Sequence, residues 1–195
     1  MKTHLINILK TLQKTVDVYW NVGPETGQFL NLLIKSAGSK TVLEIGTSNG
    51  YSGIWMAEAL VETKGHLYTI ESHKKERFGL ATENFKKANL SKIITQILGH
   101  APEAIPKIPK KFDLIFLDAT KYEYPDYLKA LTNRTKKGSI IIADNITSHE
   151  KELKPFLKQA HSLKNFTSFK LNIGKGLLIT IRSGRNTPRA YNRIL

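Results

Sequence analysis

The sequence predicts an α/β fold in which a mostly parallel sheet is covered by helices. Apolar runs of strand length recur at even spacing, with amphipathic stretches of helical spacing between them, and this alternation marks strand–helix–strand units wound into a parallel sheet. The last two runs depart from it. Only Asn172-Ile-Gly-Lys175 lies between them, too little chain for a helical crossover, so they are expected to be antiparallel neighbours.

In chain order, residues 1–38 carry the pattern of two helices leading into the sheet. Strands are expected at Thr41–Ile45, His66–Ile70, Ile93–Leu98, Leu114–Leu117, Ser139–Ala143, Ser168–Leu171 and Gly176–Ile181. Helices are expected at Ser52–Glu62, Lys74–Ala88, Pro125–Thr132 and Glu150–Ser162. No repeat, low-complexity tract or linker interrupts the series, so residues 1–182 are expected to form one domain. Ser183–Leu195, with Arg185, Arg189 and Arg193 among Gly, Asn, Pro and Thr, reads as a basic tail.

The composition, 195 residues with 41% hydrophobic and 24% charged, suits one globular domain with a single core and argues against disorder and collagen-like repeats. No apolar run approaches the roughly 20 residues needed to cross a bilayer, and the N-terminal apolar stretch is too short and interrupted for a signal peptide. A cytoplasmic protein without a membrane partner is the expectation. The absence of cysteine excludes disulfides, thiolate metal sites and cysteine nucleophiles. The formal charge of +14 suggests an anionic partner. Most of it is local: from Lys151 to Leu195 ten basic residues face one acid, Glu152.

Two groups of residues carry chemistry. Val42-Leu-Glu44-Ile-Gly46-Thr-Ser-Asn-Gly50-Tyr-Ser52 follows a strand and opens a helix, the setting in which glycines let a ligand approach the backbone. The spacing is not Gly-x-Gly-x-x-Gly, and Glu44 would repel a pyrophosphate, so a ligand with a cationic amino or sulfonium group is the better match. Glu71 closes the second strand about 20 residues after Gly50, where a carboxylate can accept hydrogen bonds from ribose hydroxyls. The second group stands at the ends of the fourth and fifth strands: Asp118, Asp144 and Asn145. Three oxygen donors on adjacent strand ends suit a hard divalent cation such as Mg²⁺. Lys121 lies near the same spot. An amine there becomes a useful base when a neighbouring cation lowers its proton affinity, an effect that carboxylates oppose.

With Asn21-Val-Gly-x-x-x-Gly27-Gln28, Val42-Leu-Glu-Ile-Gly46, Gly50-Tyr-Ser52, Ile70-Glu71, Leu117-Asp-x-x-Lys121 and Ala143-Asp-Asn145 in this order, the chain resembles the cation-dependent O-methyltransferases, which include catechol and caffeoyl-CoA enzymes. The resemblance runs from about Asn21 to Ile181. It implies a Rossmann-like class I methyltransferase fold, a seven-stranded sheet with an antiparallel last strand and helices on both faces. It also implies S-adenosylmethionine as cofactor, with Val22, Glu44, Gly46, Thr47 and Ser52 holding the methionine end, Glu71 the ribose, and His100 and Ala101 lying by the adenine. Asp118, Asp144 and Asn145 would bind the metal, Asp118 also approaching the cofactor amine, and Lys121 would deprotonate the acceptor hydroxyl. Members are often dimers, which raises a homodimer here.

Departures from the family pattern bear on the acceptor. The longer loop that follows Asp144-Asn145 in many relatives is missing, and Lys175 stands where aspartate is common, so an open, more cationic acceptor pocket is expected. The leading reading is methyl transfer to a hydroxyl of a small catechol-like or phenolic acceptor. The same chemistry on a hydroxylated nucleoside in tRNA stays open, favoured by Lys175 and the Arg-rich tail, which are expected to flank the acceptor. A non-catalytic nucleic-acid-binding module is a third reading, disfavoured because Lys121 and the predicted metal ligands are all present. Tyr19, Trp20 and Tyr51 could stack on either an aromatic acceptor or a base.

Overall fold

Strand residues alternate between two apolar environments, and this decides the layers. Val42, Leu114, Phe116, Ile140 and Ile142 join one core cluster, whereas Leu43, Ile45, Ile115, Leu117 and Ile141 join another. Side chains along a strand point to opposite faces, so a strand apolar at every position must be covered on both. The computed structural model, which describes residues 1–108 and 110–184, shows this arrangement.

One sheet of seven strands runs through the molecule. Its members are β1 (Thr41–Ile45), β2 (His66–Glu71), β3 (Ile94–Leu98), β4 (Phe112–Leu117), β5 (Thr135–Ala143), β6 (Phe166–Leu171) and β7 (Leu177–Arg182), in spatial order β3-β2-β1-β4-β5-β7-β6. The first five are parallel; β7 runs antiparallel between β5 and β6. The expected hairpin is therefore present.

On one face lie α1 (Thr3–Gln13), α3 (Pro24–Ser36), α4 (Tyr51–Thr63) and α5 (Gly79–Lys87). They bury Leu5, Leu30, Ile34, Ile54, Leu60 and Phe85. On the other lie α6 (Ala101–Ala104), α7 (Tyr124–Thr132) and α8 (Glu150–Ser162), which bury Ala104, Tyr124, Leu128, Leu153 and Phe156. Each fully buried aliphatic or aromatic side chain contributes roughly 1.5–3 kcal/mol. The strand order reverses at β1, so a crevice opens between the carboxyl ends of β1 and β4.

Several expected boundaries move for local reasons. The N-terminal region holds three helical segments instead of two, because α2 (Val16–Tyr19) is separated from α1. The Leu12 carbonyl accepts from the Thr15 amide, the Thr15 hydroxyl and the Asn21 amide side chain, which ends α1 there. The stretch expected as one helix from Lys74 opens as a π-helical turn, Lys74–Phe78, before α5. β5 starts four residues early, at Thr135, with Gly138 in the left-handed region at φ 87° and a register shift against β4 between Phe112 and Leu114. Because β7 is antiparallel, with Leu178 beside Ala143 and Ile181 beside Ile140, it delivers Arg182 to the amino ends of the parallel strands, away from the crevice. Residues 185–195 of the tail lie outside the described residues.

A close approach of β1 and β4 predicts contrasting glycine variants. Gly46 has φ 102°, and a Cβ there would fall inside the Asp118 carbonyl; Gly46→Ala should destabilise the fold by about 3 kcal/mol or more. Gly79 begins α5 with open space around it, so Gly79→Ala should be neutral or stabilising by about 0.5–1 kcal/mol. Urea unfolding of both variants checks the pair.

Candidate active site

Backbone pairing continues to the strand ends and thereby sets the crevice. The amides of Gly46 and Thr47 donate to the Ile70 carbonyl at 3.0 and 3.3 Å, Asp118 N–H to Ile45 at 2.9 Å, and Asp144 N–H to Leu117 at 3.0 Å. Residues that follow β2, β1, β4 and β5 in the sheet are thus held side by side. Those that follow β1, β2 and β4 border a cleft of about 340 Å³, within the range of small-molecule sites. Its wall includes Val22, Gly46, Thr47, Ser52, Glu71, His100, Ala101, Asp118 and Lys121, nine of the residues expected from the sequence.

Glu44 lies beneath the cleft wall. It is fully buried on the face of β1 covered by α4, and its carboxylate accepts from the Ser52 and Thr69 hydroxyls, the latter at 2.6 Å. Thr69 also contacts the Thr47 hydroxyl at 2.5 Å. Burial, with Asp118 and Glu71 nearby, pushes the Glu44 carboxyl up to about 8. One acidic group therefore ties the glycine loop, α4 and β2 together. The loop above it is fixed by Asn84, which donates to the Asn49 carbonyl at 2.8 Å, and by Gly50 at φ 87°, where a Cβ would sit 2.8 Å from the Phe85 ring.

Glu71 is buried and accepts from the backbone amides of Ser48 at 2.8 Å and His73 at 2.9 Å, one to each oxygen. A carboxylate so oriented presents its remaining lone pairs along a fixed direction. At the adjoining rim His100 bridges Glu103 at 2.6 Å and Glu123 at 3.0 Å, and these carboxylates raise its proton affinity. Glu123 in turn accepts from the Tyr127 hydroxyl at 2.5 Å. Across the mouth, exposed Trp20 is strained at φ 54° and carries the Arg77 guanidinium 4.9 Å from its ring centroid. Tyr19 and Tyr51 also line the cleft.

The second predicted group is brought together as well. Lys121 Nζ donates to Asp118 at 2.9 Å and to the Tyr124 hydroxyl at 3.2 Å, and Tyr124 donates to the Leu117 carbonyl at 3.0 Å. Asp144 and Asn145 are buried and do not border the cleft itself. Burial and the Asp118 charge push the Asp144 carboxyl up to about 7, and one of its oxygens is buried with no hydrogen-bond partner. Lys121 and Lys175 oppose that rise. Asn145 has φ 70° and donates to the Ser148 hydroxyl at 3.3 Å. Among the described residues no three His, Asp or Glu side chains cluster for a metal; the predicted ligands are two carboxylates and an amide.

Some participants were not anticipated from the sequence. Thr69 and Tyr124 contact predicted residues directly, and Arg77, Glu123 and Tyr127 line the cleft. Thr69 has one legible mark, a polar residue inside an apolar strand.

Residues 2–173 match the model of the O-methyltransferase family. The chain belongs to that family. Among curated members, it is 36% identical over 137 residues to a catechol O-methyltransferase of Niastella koreensis, covering 68% of this chain and 61% of that one. A catechol O-methyltransferase of Mycobacterium tuberculosis is 31% identical over 126 residues, covering 64% and 56%. The chain thus spans about three fifths of the length of these relatives. The crystal structure of the Bacillus cereus O-methyltransferase in complex with SAH superposes with a TM-score of 0.82 at 25% identity, covering 94% of this chain and 92% of that one.

In this O-methyltransferase-family chain, Glu44 makes stability depend on pH. A carboxyl held near 8 in the folded chain, against an ordinary value of 4.5, binds its proton more tightly folded than unfolded. Its contribution therefore falls as pH rises between those values. Urea midpoints of the native chain should drop between about pH 5.5 and 8.5, and those of Glu44→Gln should drop less; equal drops would remove Glu44 as the source.

Proposed function

We propose that this chain transfers a methyl group from S-adenosylmethionine to a hydroxyl of a small catechol-like or phenolic acceptor, with the help of a divalent cation. The observation that carries the reading is the position of Asp118, which borders the cleft between the glycine loop and Lys121 and acts electrostatically on Asp144. A single carboxylate thus joins the expected cofactor site to the expected acceptor site. The relatives named catechol O-methyltransferase support the acceptor class, and the SAH-bound relative supports the cofactor.

The residues fit both groups. Asp144 has a buried oxygen without a partner and a raised proton affinity caused in part by Asp118, the condition that a cation between two carboxylates would relieve. Asp118, Asp144 and Asn145 would hold it, with the oxygen-only donor set of Mg²⁺. When bound, the cation supplies Lewis acidity that lowers the acceptor hydroxyl pKa, and the sulfonium supplies an electrophilic methyl group.

The side chains act around these groups. Glu44 positions the Ser52 and Thr69 hydroxyls from below. Gly46 lets the Asp118 backbone close directly against the glycine loop. Of the residues lining the cleft, Val22, Thr47 and Ser52 would hold the methionine end of the cofactor, Glu71 would accept from the ribose, and His100 and Ala101 would adjoin the adenine. Lys121 would receive the acceptor proton after releasing its own ammonium proton to solvent, and its contacts with Asp118 and Tyr124 hold Nζ at the cleft wall.

A nucleoside acceptor in tRNA draws less support, since antiparallel β7 carries Arg182 to the amino ends of the parallel strands, opposite the cleft. Residues 1–182 act as one domain in this reading. Among the described residues no helix is long and apolar enough to cross a membrane.

Two outcomes test the proposal. In calorimetry S-adenosylmethionine should bind the native chain, and Glu71→Ala should weaken it about tenfold or more, as expected for losing charge-assisted hydrogen bonds; unchanged affinity would remove Glu71 from the site. Methyl transfer to catechol should stop with chelator and return with Mg²⁺. In the same assay Lys121→Ala should lower turnover by about 10²-fold or more, with cofactor affinity nearly unchanged. A chelator-insensitive reaction would sink the metal assignment.

A further inference from the structure

At the other end of the sheet, where β4 and β5 begin and β7 ends, lies a second cleft of about 460 Å³. Its lining includes Lys111, Lys136, Lys137, Asn165, Arg182 and Ser183. Arg182 is held firmly: Nη1 donates to the carbonyls of Thr132 at 3.0 Å and Thr135 at 2.7 Å and to the Thr135 hydroxyl at 2.9 Å, with the guanidinium 5.7 Å from the Phe166 ring. None of these partners is an acid, so its charge persists. Lys136 pairs with Asp113 at 2.5 Å, but that carboxylate also accepts from the amides of Lys40 and Thr41 at 2.9 Å. Lys111 and Lys137 are exposed and have no acidic partner among the described residues. Lys137 lies along the backbone here, its Nζ 3.8 Å from where a Cβ on Gly184 would be. The Ser183 hydroxyl is buried without a hydrogen-bond partner.

We propose that this cleft docks the phosphodiester backbone of a nucleic acid. Four cations against one carboxylate call for an anionic ligand, and the amide of Asn165 adds a donor of the kind that contacts phosphate oxygens. The lining has no large apolar side chain to insert into a bilayer or to form the dry centre of a protein interface. Affinity therefore comes from charge, as in backbone-directed binding. β4 leads from Lys111 at this cleft to Asp118 at the candidate active site, a span of roughly 23 Å at about 3.3 Å per residue. The docking site is thus independent of the proposed methyl transfer.

Fluorescence anisotropy on the full chain tests this with a labelled 20-nucleotide single-stranded RNA and a 20-base-pair DNA duplex, titrated at low and rising salt. The double variant Lys111→Glu/Lys137→Glu should weaken binding about tenfold or more and flatten the salt slope by about two. Lys86→Glu/Lys87→Glu, an equal charge change on exposed α5 residues, should stay within about threefold of the native chain. Preference for RNA or for duplex DNA names the source of the backbone. Should the first double variant not fold, the single Lys137→Ala carries the test, with about a threefold loss expected. Equal weakening by both double variants would reduce the effect to net charge and overturn the site. So would absence of binding to both nucleic acids, or capture by phosphatidylserine vesicles alone.

Discussion

Gly46 and Asp118 pack so closely that no side chain fits between them, and the candidate site depends on this contact. A parallel sheet brings strand ends near one another but does not by itself place two functional loops in one cleft. Here the Ile45 carbonyl accepts from the Asp118 amide just where β1 turns into the glycine loop. The loop that would receive the cofactor and the strand end that leads to Lys121 therefore share a wall. A β-carbon at position 46 would separate them, and with them the cofactor and acceptor halves of the proposed reaction.

Beneath that contact the molecule concentrates acidic groups. Glu44, Glu71, Asp118 and Asp144 all stand toward the carboxyl ends of the central strands, and the first, second and fourth are buried. Burial, and then the neighbouring carboxylates, raise proton affinity here, as Glu44 and Asp144 show. Glu44 is stabilised by two hydroxyls, whereas one Asp144 oxygen has no partner. The first is therefore a structural anchor that can remain protonated, and the second is a group still lacking a partner. That difference separates a positioning carboxylate from a ligand-binding one more clearly than motif position does.

The sheet and its strand directions were legible because they follow from period-two patterning and from one loop too short for a crossover. Glu71, Asp118 and Asp144 were legible because they close apolar strands, where open α/β sheets place their ligands. The role of Glu44 was harder to read. Its face is set by alternation with Val42, but only the packing of α4 over that face shows that it lies under the cleft and reaches Ser52 and Thr69. Tyr124 escaped notice because it contacts Lys121 through a 3₁₀ turn at Lys121–Glu123, a geometry that helical spacing does not encode. The tail shows the reverse case. An antiparallel last strand already implied that residues after Arg182 start from the far end of the sheet, yet proximity in sequence to Lys175 suggested the acceptor side.

Strand direction accordingly changes the meaning of the chain's +14 charge. The buried carboxylates cluster at one end of the sheet, and at the other Lys111, Lys136, Lys137 and Arg182 face a single acid, Asp113. A polyanion approaching this molecule meets repulsion near the glycine loop and attraction at the amino ends of the strands. Lys175, exposed on the β6–β7 turn and acting on Asp144, is a local exception that moderates the acidic end without reversing it. Excess positive charge thus does not by itself argue for a nucleic acid in the reactive cleft. The same fold can carry small-molecule chemistry at its carboxyl edge while its amino edge supplies an electrostatic surface, and the length of the parallel strands separates the two.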